Sequence, residues 1–417
     1  MTMSERPSML SPFEVRNYRF QWSSDLLTSC ATEMETIVLG WFIFLETGSV
    51  ALLTLFASLQ YFGTLIAPGL GSAGDRLGHR NVMLYMRTIY AMLAAAIAVL
   101  ALSGTLTPLS ALVIAGLAGL LRPSDMGMRN VLTSRMVAPD YLMSAISLSR
   151  VTTDSARIVG ALTGASIVAI LGIEGAYPFI VAFYLASGIL IAKIDQHLTT
   201  QATERSLPPF APLKDFMVAL RALQDSPPHL AAMTLAFLVN LMAFPFTLGL
   251  LPYIAREVYH TGQAGLGYMT AATGVGALAA SLLLGHLGRS VRPARMMLIF
   301  GSLWHCLIIL LGQTENLLPG LAVLAMIGAA SILCLLPLSV LLLRGVHPDI
   351  LGPIMGIRMQ AVYGLPVGLL ISGPLIESFG FASTAVLYGT AGLLLTVIIG
   401  KHWFRDLWPS QALSNQG

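Results

Sequence analysis

Gly71-Ser-Ala-Gly-Asp75-Arg76-Leu-Gly78-His79-Arg80 separates two long apolar stretches, and its reading decides the fold. Its glycines permit a tight reversal. Its charges are costly in hydrocarbon, so the reversal has to sit at a membrane surface. The composition around it agrees. Hydrophobic residues make up 56% of the chain and charged ones only 10%, whereas soluble domains are about a quarter charged. Mean hydropathy is +0.77. A formal net charge of +3 is too small to favour nucleic acid as a partner. The first residues, with Glu5, Arg6 and Pro7, lack the basic-then-apolar order and cleavage site of a signal peptide. Cys30, Cys306 and Cys334 are far apart within apolar segments and read as reduced, packed residues, with no disulfide framework or zinc site.

Apolar runs of about 20 residues, the length that crosses a ~30 Å hydrocarbon core as helix, recur from end to end. Spans are expected near residues 22–44, 50–70, 82–102, 108–126, 143–171 and 177–194. A second set is expected near 230–254, 266–287, 294–312, 319–343, 356–376 and 383–399. The one long polar connection, residues 195–228, carries Pro208, Pro209, Pro212, Pro227 and Pro228 around an amphipathic piece. The expected architecture is therefore an all-α polytopic membrane protein of twelve transmembrane helices. It forms two six-helix, pseudo-symmetric halves, residues 1–194 and 229–417, joined by a cytoplasmic linker at 195–228.

Lysine and arginine placement orients the chain. Arg6, Arg16 and Arg19, the Arg76/Arg80 loop, Arg129 and Arg135, the linker cations, Arg289/Arg292/Arg295, Arg344 and Lys401/Arg405 fall on one side. Only Arg256 falls on the other, among Glu46, Glu174, Glu257 and Glu315. Both termini are thus expected in the cytoplasm. The halves also echo each other. Val137-Ala-Pro139-Asp140-Tyr-Leu142, before the fifth span, returns as Val346-His-Pro348-Asp349-Ile-Leu351 before the eleventh. Gly71-x-x-Gly74, before the third span, returns as Gly285-x-x-Gly288 before the ninth.

The opening loop resembles the one between helices two and three of the major facilitator superfamily of transporters, with Gly71, Asp75, Arg76, Gly78 and Arg80 matching its pattern. Arg16-Asn17-Tyr18-Arg19-Phe20, Leu39-Gly40-Trp41 and Thr47-Gly48-Ser49 resemble a bacterial branch that includes macrolide and enterobactin exporters. The resemblance implies parallel six-helix repeats, a bacterial inner membrane and a small-molecule substrate. It also implies that Asp75 caps the start of span eleven, and that a basic residue of the loop, Arg80 or Arg76, pairs with Asp125. Arg122 resembles the arginine of the fourth-helix motif of drug–proton antiporters. Gly160-x-x-x-Gly164 resembles their fifth-helix motif without its Gly-Pro pair.

Charges persist inside the spans, mainly in the first half, where each is a functional candidate. Arg150, Asp154 and Arg157 share one face of span five. One acid cannot neutralise two arginines, so another helix must contribute. Arg157 lies deeper than Arg150 and is expected to matter more. Span one offers Asp25, placed within reach of the surface, and Glu33 and Glu35, which project about 200° apart. Either Glu33 or Glu35 is expected to face the cavity and exchange protons, the other pairing with an arginine of span five, with Asp154 as the further coupling candidate. Arg122, Asp125 and Arg129 form a stripe at one end of span four, suited to a gate. In the nearly charge-free second half, Asn240, Phe244 and Tyr363 are candidate cavity residues, with Phe237, Phe246 and Tyr253 completing an aromatic wall. His305 reads as a packing residue.

These features point to a secondary active transporter, most simply a proton-coupled exporter of small amphipathic molecules of drug or siderophore type, working by rocking of the two halves. Uptake, or movement of a lipid or metal ion, is the alternative within transport. A non-transporting sensor and a polytopic membrane enzyme are the alternatives outside it. The chain carries no Walker sequence and no H-E-x-x-H, so no enzyme activity, cofactor or resident metal is expected. The expected partners are substrate, protons and the bilayer, with the protein a monomer.

Overall fold

In hydrocarbon no water can satisfy backbone N–H and C=O groups, so spanning segments must be helices or closed barrels. The computed structural model describes residues 10–65, 77–195, 226–287, 292–343, 358 and 360–408. Those residues form helices throughout their spanning segments. They are α1 (Arg16–Thr47), α2 (Val50–Leu59), α3 (His79–Leu102), α4 (Pro108–Met136), and a long element, Pro139–Ala192. The second half contributes α7 (Pro227–Met242), α8 (Gln263–Leu287), α9 (Pro293–Leu311), α10 (Leu317–Leu343), α11 (Gly364–Phe379) and α12 (Phe381–His402). Four of these begin on a proline, whose missing N–H would have no partner in a first turn anyway. At α4 a reciprocal pair reinforces it, Thr107 Oγ1 accepting from the Ser110 N–H and Ser110 Oγ from the Thr107 N–H.

The element Pro139–Ala192 is two helices. Gly172, at φ 69°, interrupts it in the left-handed region that favours glycine. The arm before it, α5 (residues 139–171), runs parallel to α1, since Tyr18 meets Ala145, Trp22 meets Thr152 and Cys30 meets Gly160. The arm after it, α6 (residues 173–192), runs antiparallel, with Ser24 and Thr28 on Ser187 and Thr32 on Tyr184. Eight helical elements are long and apolar enough to cross a membrane, three shorter apolar ones accompany them, and one of the eight is this hairpin. Twelve spanning elements are therefore present among the described residues.

Two compact units emerge from packing: residues 1–48, 59–208 and 262–271, and residues 49–58, 209–261 and 272–417. Two short segments, nearly all of α2 and the start of α8, thus pack with elements from the other end of the sequence. In the second unit, Glu377 of α11 accepts from the Ala51 N–H at 3.1 Å. In the first, a Cβ at Gly267 would lie 2.7 Å from the Ala165 Cβ.

The internal echo is most evident in how each unit places small residues. In the first, a Cβ at Gly119 would lie 2.0 Å from the Leu59 carbonyl oxygen, and one at Gly63 2.0 Å from that of Leu120. In the second, Gly276 stands in the same relation to Ala325 and Gly328 to Thr273, at 1.8 and 2.0 Å. Each unit therefore closes its second and fourth spans on reciprocal glycines that no larger residue could replace. The motif positions Gly71, Asp75 and Arg76, the linker 196–225 and the Val346–Leu351 echo lie outside the described residues.

Candidate functional site

The charged side chains of the first unit assemble into three groups on α1. The first joins Asp25 of α1, Arg87 of α3, and Asp125 and Arg129 of α4. Arg87 reaches Asp125 at 2.5 Å and Asp25 at 3.4 Å. Arg129 reaches Asp125 at 2.5 Å and Asp25 at 3.3 Å, and also donates to Ser29. Arg87 is fully buried. Two acids thus face two arginines with no net charge, the condition under which buried ions persist. Asp25 is buried within the group, in the charge network expected of it and not at the surface. Among the described residues Asp125 is held by Arg87 and Arg129, Arg76 lying outside them. Arg80 instead donates to the Ala192 carbonyl and to Asn81.

The second group centres on Glu35, 3% exposed. Its Oε2 lies 2.5 Å from Arg122 of α4 and accepts from the Tyr184 hydroxyl of α6 at 3.0 Å. Arg122 also donates to Gln60 and Thr36. The third joins α1 to α5. Glu33 lies 3.5 Å from Arg157, with side chains 23% and 30% exposed. Glycine makes that approach possible, since a Cβ at Gly160 would lie 3.0 Å from the Glu33 Cβ. The two glutamates therefore occupy separate environments, as their wheel angle requires, and Glu33 is the one beside span five.

Asp154 is 2% exposed and pairs with Arg150 at 3.3 Å, its other oxygen lacking a hydrogen-bond partner among the described residues. The deeper acid of span five thus belongs to the shallower arginine, which reverses the expected ranking. Arg150→Ala removes the ion-pair partner of a buried carboxylate and leaves Arg157 as its nearby cation, a loss of up to about 3 kcal/mol because Arg150 itself is half-exposed. Arg157→Ala frees only a half-open one. In thermal unfolding of the two variants, Arg150→Ala should show the larger fall in Tm. An equal or smaller fall would mean that water reaches Asp154.

Sequence patterning does not single out Arg87 or Tyr184. The available signals are the spacing of Arg80 and Arg87, seven positions apart, and a hydroxyl at every fourth position of α1: Ser24, Thr28, Thr32 and Thr36. That stripe faces α6. Ser24 and Thr28 both bond Ser187 at 2.6 Å, and Thr32 bonds Tyr184 at 3.2 Å. It links the Asp25 group to the Glu35 group along one helix face.

In the second unit the expected aromatic wall does not assemble. Phe244 packs edge-on against Trp304, Phe246 is buried against Phe381 and Tyr388, and Phe237 turns outward. Asn240 donates to the Ala236 carbonyl and abuts Gly364, beside Tyr363. His305 is buried, Nδ1 bonding the Gly301 carbonyl and the ring filling the space over Gly392. Cys30 and Cys334 are buried, but Cys306 is exposed, contrary to expectation. Among the described residues no three His, Cys, Asp or Glu side chains gather as metal ligands.

Twelve spanning helices with charge groups buried between them define a multi-pass transporter of the major facilitator fold. The chain belongs to the transmembrane secretion effector family, which it matches over residues 7–414. It is 26% identical over 274 residues to the enterobactin exporter EntS of Citrobacter koseri, a match covering 64% of each chain. The match thus spans somewhat under two thirds of that relative. Among solved structures, it resembles the nucleoside transporter NupG at a TM-score of 0.68 and 16% identity, over 93% of this chain and 99% of that one. It resembles a D-xylose–proton symporter at 0.70 and 14%, over 94% and 98%. Identities this low speak for the fold alone. The family is one of transporters, not enzymes.

Proposed function

We propose that the chain exports small amphipathic molecules in exchange for protons, with Glu33 as the titrating group. The observation that carries this reading is the contrast between the two glutamates of α1. Glu35 is enclosed and held at 2.5 Å by Arg122, whereas Glu33 is part-exposed and 3.5 Å from Arg157. A desolvated carboxylate favours the proton and a nearby arginine disfavours it. A loosely held, accessible pair is where the two can alternate. Deprotonated Glu33, with Arg157 beside it, offers a carboxylate to the hydrogen-bond-donating polar end of a substrate, and protonation withdraws that charge and releases the substrate. Proton and substrate thereby compete for one carboxylate, which is the requirement for antiport.

Export as the direction, and an amphipathic, drug- or siderophore-type substrate, are supported by the family description and by the exporter that the chain partly matches. The bacterial exporter that the chain partly matches supports an inner-membrane location, and the placement of Lys and Arg supports both termini in the cytoplasm. Residues 1–194 and 229–417 then rock as halves about the 195–228 linker, with Asp75, Arg76 and the Arg122–Arg129 stripe at the gate. The protein works as a monomer. Proteoliposomes with an imposed pH gradient test the reading against a panel of fluorescent amphipathic dyes and catechol-type chelators. Accumulation of at least one compound, reversed when the gradient is reversed, is expected. Gradient-independent flux would leave a facilitator, and no flux of any compound would leave a non-transporting sensor.

A further inference from the structure

Between α7 and α12 lies an apolar cavity of about 420 Å³. Phe237 and Leu241 line it from α7, Leu395 and Ile398 from α12, and His402 and Trp403 form its mouth. Its lone hydroxyl, on Thr234, is committed to the Leu230 carbonyl. Phe237, Leu395 and Ile398 are 42%, 41% and 57% exposed, so in a membrane chain this surface meets acyl chains. From Leu395 to Trp403 the groove runs along roughly 12 Å of helix, close to the depth of one leaflet of a ~30 Å core. An unfilled space of this size in hydrocarbon forfeits dispersion contacts along its whole lining.

The mouth has a further property. Lys401 and Arg405 stand at the end of α12, and Arg292 and Arg295 at the start of α9. The two ends are neighbours, because Leu298 of α9 packs on Gly400 of α12. Arg295 stacks over Trp408 at 5.1 Å. None of the four cations has an ion-pair partner among the described residues. Asp406 is the single acid of this rim among them.

We propose that groove and rim together bind one anionic phospholipid, an acyl chain lying between α7 and α12 and the phosphate-bearing headgroup on the cations. Cations at a membrane face need no ligand to explain them, and an apolar groove selects no headgroup. Their adjacency does both, since each lysine or arginine near the surface strengthens binding of an anionic headgroup severalfold. Trp403 suits the boundary between them, where aromatic rings collect.

Native mass spectrometry of the full chain in detergent, titrated with phosphatidylglycerol or phosphatidylcholine of equal chain length, tests this, with thermal unfolding read in parallel. One phosphatidylglycerol should be retained, at least about tenfold more tightly than phosphatidylcholine, and the preference should shrink at high salt. Lys401→Gln with Arg405→Gln should cut the preference severalfold, Arg292 and Arg295 remaining, and leave the weaker retention of both lipids. Ile398→Trp, a change at an outward position that fills the groove and spares the rim, should lose retention of both. Inorganic phosphate alone should not raise Tm. Four results would each overturn the site: equal retention of the two lipids by the parent protein, a preference undiminished in the double glutamine variant, full retention by Ile398→Trp, or a second protein copy in place of the lipid.

Discussion

Glu33→Gln should abolish pH-driven accumulation of substrate in proteoliposomes while leaving substrate exchange at equal pH intact. Glutamine keeps the size and hydrogen-bonding reach of the glutamate but cannot change charge, so the substrate keeps a polar neighbour and loses the proton as its competitor. With one proton exchanged per substrate, a gradient of one pH unit drives up to about tenfold accumulation, and the variant should fall to unity. Glu35→Gln is the companion measurement. It leaves Arg122 buried with Gln60 and Thr36 as its remaining partners, so its expected effect is a lower yield of folded protein with coupling retained in whatever folds. Full pH-driven transport by Glu33→Gln would move the proton to another acid, and Asp154 is the next candidate.

Arg87→Leu should be the most destabilising single change in the first unit. Asp25 and Asp125 would then share Arg129 alone, a buried excess of one negative charge costing about 3–5 kcal/mol. Arg87→Lys should rescue little, because one ammonium cannot reproduce a planar fork that spans two carboxylates on different helices. Asp25→Asn in the Arg87→Leu background restores the balance of one acid to one base, and should recover much of the lost Tm. If Arg87→Leu unfolded at the parental temperature, the group would be hydrated and the ion pairs superficial.

The fold was legible because membrane solvent leaves so few solutions: about 20 apolar residues, then polar ones, must be a helix and a turn. Even the break between spans five and six is encoded in a single residue, Gly172. Partner choice was much less legible. Helix angles separate Glu33 from Glu35 correctly, but they cannot say that Glu35 meets Arg122, because that depends on how α4 crosses α1. Arg87 escaped notice for a related reason. A lone arginine five residues into an expected span can be imagined snorkelling to the surface, and only the positions of Asp25 and Asp125 on two other helices draw it inward. The aromatic residues of the second half failed as a pattern because proximity in sequence around residues 237–253 says nothing about which of several neighbouring helices each ring turns to.

Five acids, Asp25, Glu33, Glu35, Asp125 and Asp154, face five arginines, Arg87, Arg122, Arg129, Arg150 and Arg157, within the interior of one unit. Charges paired in this way add no net charge of their own to the unit that carries them through the electric field of an energised membrane. Each uncompensated elementary charge crossing that field would be worth about 2.3 kcal/mol per 100 mV, enough to pin the protein in one state. With the set neutral, and on the proposed exchange at Glu33, the voltage acts only on the substrate and the proton. For an uncharged substrate, the dependence of flux on membrane potential then becomes a direct count of protons per cycle.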